Sequence, residues 1–365
     1  MQFGLSESQQ LLTKNARKFF AAECPMQEVR RLMDTDTAYD ATLWAKMAEQ
    51  GFTGVIFPEE HGGMGLGKVE LALLMEEMGR ALVPGPYLST ISAAAIVNEC
   101  GSPEQKQRYV APVCAGTARA AIAVTEPRAS ASGLREASGT LTGEKLFVAD
   151  AAIADYIVVI GGTSAYLVKR GAPGLSVTPM NGMDLTRKIY AVSFNNTPAA
   201  PLPNASRVNH ALEIATVGIA AELVGGMQRV LDLAVEYAKT RKQFSKPIGQ
   251  YQAVQHQLAD SYLETESARS AAYYAAWALE ESAPDASVAV SIAKMYASDA
   301  ARNVGNRGIQ VHGGMGFTWE NDAHLYYRRF KADETALGDA TYHRERIARF
   351  VIDTRVGRAS TRAEL

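Results

Sequence analysis

Two segments in the C-terminal half carry residue types suited to gripping an anion. The first reads Glu236-Tyr237-Ala238-Lys239-Thr240-Arg241-Lys242-Gln243-Phe244 and is followed by Pro247-Ile248, Tyr251 and Gln252. The second reads Gly308-Ile309-Gln310-Val311-His312-Gly313-Gly314-Met315-Gly316-Phe317-Thr318. An arginine offers a phosphate a permanent, fork-shaped charge. Adjacent glycines let backbone N–H groups approach the same phosphate with no side chain in the way. Each segment also has a plainer reading. Gly313 to Gly316 can be only a helix-ending loop, Arg241 and Lys242 can be complements to a helix dipole, and Phe244 can serve packing.

The elements that must position these residues follow from periodicity. Ser6-Glu7-Ser8 can cap a helix on which Leu11, Leu12, Ala16, Phe19 and Phe20 recur at helical spacing. Further helices are expected over 41–50, ending at Gly51, and over 68–81, 88–99 and 103–114. From Ala120 to about Val192 the segments are short, β-rich and separated by Gly, Pro, Asn and Asp, as in a compact antiparallel barrel or sandwich. Strands are expected over 120–124, 139–141, 156–160, 165–168 and 175–177. After Asn209 long helical patterns return, over 212–240, 251–280, 287–305 and 341–354, which implies a helical bundle. The organisation is α, then β, then α: residues 1–116, 117–205 and 206–365. The fold class is α+β multidomain, with an N-terminal α-helical domain, a middle β-barrel or sandwich and a C-terminal four-helix bundle.

Composition excludes several classes. The 365 residues are 47% hydrophobic and 21% charged, as in ordinary globular chains. A net charge of −2 and a pI near 6.3 leave no footprint for nucleic acid or an anionic membrane. The longest apolar stretches are short and interrupted, so no membrane span is expected. The N-terminus lacks a basic flank and apolar run, and Cys24, Cys100 and Cys114 form no CxxC pair. Both point to a reducing, cytoplasmic setting without a disulfide framework or zinc site. The six histidines show no HExxH spacing, and no metal is expected.

With Pro58-Glu59-Glu60-His61-Gly62-Gly63 and Thr125-Glu126-Pro127, the two C-terminal segments resemble the acyl-CoA dehydrogenase family over nearly the whole chain. The resemblance implies FAD as cofactor, an acyl-CoA thioester as substrate and an electron-transferring flavoprotein as acceptor. It implies that Arg241, Phe244, Tyr251, Gln252, Gln310, Val311, His312, Gly313 and Gly314 contact the FAD of a neighbouring subunit. Thr125 is implied on the flavin side. The chain would then work as a dimer or tetramer, with itself or with a second acyl-CoA dehydrogenase-like subunit. The family reaction is α,β-dehydrogenation. A carboxylate takes the α-proton as hydride leaves the β-carbon for the flavin, and hydrogen-bond donors hold the thioester oxygen.

The sequence departs from that pattern where the base should be. Ungapped alignment from Tyr327-Arg328 puts Leu337 at the usual glutamate position, within Leu337-Gly338-Asp339. The alternative base position, near the start of the long helix, holds Ala215. Glu213 lies two residues away, about 200° around a helix, and reads as a solvated or capping carboxylate. Asp339 is the one acid in the turn. It can act as base after a backbone adjustment, or it can cap the following helix. The Gly-Ser-Asp after Thr-Glu-Pro is replaced by Arg128-Ala129-Ser130-Ala131-Ser132, and the flavin-side Trp-Ile-Thr by Phe147-Val148-Ala149. Adenine-side elements are kept while flavin-side and base elements are eroded. This pattern resembles the base-lacking subunit of heterotetrameric family members, some of which act on bulky acyl groups such as steroid side chains. Three readings follow: a catalytic subunit, a structural subunit that completes a partner's FAD site, or a helical scaffold without cofactor.

Overall fold

In a computed structural model, residues 4–127 and 133–362 are described. The segment Arg128–Ser132, one of the departures noted above, lies outside them. Helix α1 (Glu7–Glu23) starts where expected, for a capping reason. The Ser6 hydroxyl accepts the Gln9 N–H, and the Gln9 side chain accepts the Ser6 N–H, closing a capping box. Then come α2 (Met26–Met33), α3 (Ala41–Glu49), α4 (Lys68–Ala81), α5 (Tyr87–Cys100), α6 (Pro103–Tyr109) and α7 (Ala111–Cys114). Helix α2 is too short for periodicity to reveal. Gly51, with φ 77°, ends the α3 turn as the sequence implied.

The middle part is two four-stranded sheets. One has the order β1 (Ala120–Ala123), β4 (Tyr156–Gly161), β5 (Ser164–Lys169), β8 (Ala200–Pro201). The other runs β2 (Arg135–Ala137), β3 (Thr140–Ala149), β7 (Ile189–Pro198), β6 (Leu175–Met180). Leu141, Val148, Ile157, Val159, Val192 and Phe194 form their shared core. The expectation of a purely antiparallel part needs correcting, because β1 and β4 pair in parallel. The chain leaves β1, builds β2 and β3 in the other sheet and returns, which is a crossover without a helix. Strand β3 is also longer than expected, since polar residues within it hide the alternation.

The C-terminal part holds α8 (Val208–Thr240), α9 (Gln252–Glu280), α10 (Ala286–His312), α11 (Ala323–Thr335) and α12 (Ala340–Arg362). Two further short strands, β9 (Lys242–Gln243) and β10 (Lys246–Pro247), pair between α8 and α9. The stretch Ala205–Thr240, which contains α8, is long and apolar enough to cross a membrane by length and composition alone. Its apolar window is 89% buried inside the protein, as befits a central core helix. It lies against α4 backbone to backbone. A Cβ on Gly225 would sit 1.8 Å from the Glu76 carbonyl oxygen, and one on Gly79 would sit 2.0 Å from the Glu222 carbonyl oxygen.

Where the three parts meet, charges are buried together. The Arg329 guanidinium of α11 donates to Asp184, Thr186, Glu222 and the Val83 carbonyl. Arg187 donates to Glu222 at 2.8 Å and to Asp333 at 3.1 Å. Burial, with Glu222 beside it, pushes the Asp333 carboxyl up to about 8. Burial also raises Asp150 to about 6, against the hydrogen bond from Ser89.

Two measurements test this packing. Gly225→Ala should destabilise the chain by about 3 kcal/mol in urea unfolding, because the helices must separate. Asp333 holds its proton in the folded chain but loses it near pH 4 when unfolded. Its contribution is therefore full below that range and lost as pH rises towards 8, at up to about 1.4 kcal/mol per pH unit. Asp333→Asn should remove that share of the decline between pH 5 and 8 in urea unfolding.

Candidate functional site

Arg241 is the residue at which α8 stops. Its backbone turns extended, with φ −71° and ψ 124°, and β9 and β10 form a hairpin beyond it. The two central residues, Phe244 at φ 49° and Ser245 at φ 68°, both adopt the left-handed conformation that such a tight hairpin needs. Neither is glycine, so neighbours must hold the turn. The Tyr251 hydroxyl donates to the Gln243 carbonyl at 3.1 Å, and the Lys246 ammonium lies 4.3 Å from the Tyr251 ring centre. The Ile248 N–H donates to the Arg241 carbonyl at 2.8 Å. The Phe244 side chain is 89% exposed at the tip. Gln252, the first residue of α9, is exposed as well.

The glycine turn closes the same end of the bundle. Helix α10 stops at His312, and Gly313 takes φ 60°. A Cβ on Gly313 or Gly314 would meet nothing within 4 Å, whereas one on Gly316 would lie 2.5 Å from the Ile309 carbonyl oxygen. The turn thus folds tightly onto α10 at Gly316 and leaves bare backbone outward at Gly313-Gly314. Val311 and His312 are buried and serve as anchors. Val311 packs with Ala234, Ala238, Ile248, Val254 and Leu258. His312 Nδ1 is 2.7 Å from the Gly308 carbonyl oxygen, and its ring lies 4.7 Å from Tyr237. The cluster brings two segments about 70 residues apart together. Arg241 and Gln310 are exposed and have no side-chain hydrogen bond or ion pair among the described residues.

The second sequence-derived site lies in the β part. Thr125 is exposed just after β1, and its carbonyl accepts the Leu146 N–H at 2.8 Å. A residue that sequence reasoning missed, Lys145, fixes this loop. Its buried ammonium donates to the Val124 carbonyl at 2.9 Å and to Glu126 at 2.7 Å. Burial pulls the Lys145 pKa down, and the Glu126 hydrogen bond opposes it. The β3 register slips between Lys145 and Val148, and Phe147 sits in that bulge at φ 57°, 58% exposed. An aromatic face and the Thr125 loop are therefore presented side by side.

The base positions are closed. Leu337, at φ 55°, packs on the main core. Beneath it the buried Lys294 ammonium donates to the Glu334 and Gly338 carbonyls, each at 3.0 Å. Burial lowers Lys294 to about 8. Asp339 is exposed and accepts the Tyr342 N–H at 2.8 Å, so its carboxylate is occupied as the cap of α12. Glu213 is not solvated, as the sequence suggested; it is buried and paired with Arg346 at 2.7 Å. Ala215 lines a cavity of about 10 Å³ with Leu71, Met75, Leu88, Ile91, Ser92, Ile214 and Gly218. That is room for one water at most. Spacing offered little signal for Lys145 or Lys294, since most of their partners, the Val124, Glu334 and Gly338 carbonyls and the Glu126 carboxylate, are about 20 or more residues away.

Comparison with known proteins decides the family. Residues 6–117 match the acyl-CoA dehydrogenase N-terminal domain, and residues 205–352 match the acyl-CoA dehydrogenase C-terminal domain. Acyl-CoA dehydrogenase IpdE2 of Mycobacterium tuberculosis (strain ATCC 25618 / H37Rv) is 34% identical over 325 residues, covering 88% of this chain and 91% of that protein. The chain belongs to the acyl-CoA dehydrogenase family.

Among solved structures, the ChsE4-ChsE5 complex from Mycobacterium tuberculosis superposes with a TM-score of 0.90 at 28% identity, over 96% of this chain and 99% of that one. The Tcur3481-Tcur3483 steroid ACAD G363A variant superposes with a TM-score of 0.89 at 31% identity, over the same shares. The family cofactor is FAD. As an acyl-CoA dehydrogenase-family chain, this one presents a fitting set of groups for a dinucleotide: a free guanidinium, a free amide and uncovered glycine backbone at one end of the bundle.

If capping is what Asp339 does, Asp339→Ala should cost about 1 kcal/mol in thermal or chemical unfolding. Flavin content should stay unchanged.

Proposed function

We propose that this chain is one subunit of a heteromeric acyl-CoA dehydrogenase and completes the FAD site of a catalytic partner subunit. One contrast carries the reading. The dinucleotide-gripping groups are exposed and unpartnered, while both base positions hold aliphatic residues, Leu337 and Ala215, packed against a nearly filled interior. A subunit that lends its phosphate-binding groups outward must keep them, and it need not keep its own base.

In this reading Arg241 pairs with the diphosphate across the interface, and Gln310 and the Gly313-Gly314 backbone complete the grip. Phe244 covers the cofactor from the hairpin tip, and Tyr251 and Gln252 support it. Bound FAD supplies the hydride acceptor for α,β-dehydrogenation of an acyl-CoA. The α-proton goes to a carboxylate of the partner, because this chain has none in place. A bulky acyl group, such as a steroid side chain, is the proposed substrate, supported by similarity to a steroid enzyme of paired chains. A soluble electron-transferring flavoprotein is the proposed acceptor. The alternative assigns Asp339 as this chain's own base, which requires it to leave its cap.

The test is co-purification with a second acyl-CoA dehydrogenase subunit that has an intact glutamate, followed by bound flavin and turnover. The pair should hold flavin and turn over, and the lone chain should do neither fully. Arg241→Ala in this chain should weaken flavin retention by roughly tenfold to a hundredfold, the weight of a charge-assisted phosphate contact. Full flavin and turnover in the lone protein would overturn the heteromer, and loss of that activity in Asp339→Asn would then favour the alternative.

A further inference from the structure

The glycine turn is held at its far end by a residue from the opposite end of the sequence. Arg30, on α2, spends its guanidinium on one short stretch that directly follows the turn. Its Nη1 donates to the Trp319 carbonyl at 2.8 Å. Its Nη2 donates to the Asn321 carbonyl at 3.3 Å and to Asp322 Oδ1 at 2.7 Å. Its Nε donates to the same Asp322 oxygen at 3.1 Å. The ion pair is partly shielded, with the two side chains 24% and 29% exposed.

The stretch it grips is continuous with the turn. The Thr318 N–H donates to the Met315 carbonyl at 3.2 Å, and the Asn321 N–H donates to the Thr318 carbonyl at 3.2 Å. Trp319 is stacked on His324 at 5.1 Å and lies under the Arg328 guanidinium at 5.7 Å. His312 against Tyr237 fixes the start of the turn, and Gly316, folded onto Ile309, fixes it again just after the two outward glycines. Between these two anchors Gly313 and Gly314 have no packing of their own. Their orientation is set by what holds the ends.

We propose that Arg30 is a positioning residue for FAD binding: it fixes the distal end of the Gly313–Phe317 turn, whose Gly313 N–H is spent on the Gln310 carbonyl, so that the bare backbone at Gly313-Gly314 stays presented to the diphosphate. It does not touch the turn's outer face, so it acts through Trp319, Asn321 and Asp322. The planar fork meets three acceptors along four residues, a pattern a lysine ammonium cannot reproduce. It also ties the N-terminal part to the cofactor end of the C-terminal bundle. The proposal rests on the half-site reading above.

The experiment uses the assembled, flavin-loaded protein of this chain with its partner subunit. FAD dissociation constants are measured by flavin fluorescence for Arg30→Ala, Arg30→Lys, Asp322→Asn and Arg241→Ala, alongside melting temperatures with and without flavin. Arg30→Ala and Arg30→Lys should both weaken FAD roughly tenfold, since charge-assisted bonds are lost. Asp322→Asn keeps the carbonyl contacts and should weaken it less. The flavin-free melting temperature should fall less than the flavin-loaded one. Equal falls in both with an unchanged dissociation constant would make Arg30 merely structural and overturn the proposal. Weakening by Arg241→Ala alone would overturn it while leaving the half-site reading standing. Unchanged binding in Arg241→Ala would overturn both.

Discussion

The Arg329 guanidinium is the interaction on which the arrangement of the three parts depends. It is buried and takes acceptors from α11's neighbours in every part: Val83 beyond α4, Asp184 and Thr186 from the β region, and Glu222 on α8. Arg187 extends the same network from Glu222 to the protonated Asp333. Desolvating so many charges is costly, and their mutual attraction offsets that cost only when the geometry is complete. Removing one partner would strand the others, at about 3–5 kcal/mol. A network of this kind adds little to stability beyond what apolar packing would give, and its acceptors come together in this docking of the sheets against the helices. That docking sets where the Thr125 loop and the bundle's cofactor end lie.

The second constraint is the glycine contact between α4 and α8. With Gly79 against the Glu222 carbonyl and Gly225 against the Glu76 carbonyl, the two helices leave no room for a side chain between them. The small cavity beside Ala215 is bordered by residues of these same helices and of α5. The space beside Ala215 is therefore nearly filled, largely by aliphatic packing. The end of the bundle that carries Arg241 and Gln310 is built the opposite way, with a minor apolar cluster inside and these polar groups left free outside. The proposed role as a subunit serving a neighbour's site rests on this division of a closed interior and an open edge.

Much of the helical architecture was legible because long amphipathic periods are hard to hide. The run 68–81 coincides with α4, and the capping box at Ser6 marks the start of α1. The chain's β region was less legible. Strand β3 carries Thr142, Glu144 and Lys145, whose polarity masks a strand that is half in the interior. Lys145 is buried because its ammonium finds the Val124 carbonyl and Glu126, and no spacing rule foretells such a pairing. Glu213 was misread for the same reason: its partner, Arg346, is 133 residues away.

By itself the sequence determined the helical and strand-rich regions, the two segments proposed to bind the cofactor and the absence of a glutamate at Leu337 and Ala215. These are matters of local period, residue type and short spacing. Only the tertiary structure decided that Val311 and His312 turn inward while Arg241 and Gln310 stay free. It alone decided that Asp339 caps a helix, that the space by Ala215 is filled, and that Arg30 reaches across the molecule. Each of these depends on contacts between residues far apart in the chain, and a contact energy between distant residues leaves no pattern in either local sequence.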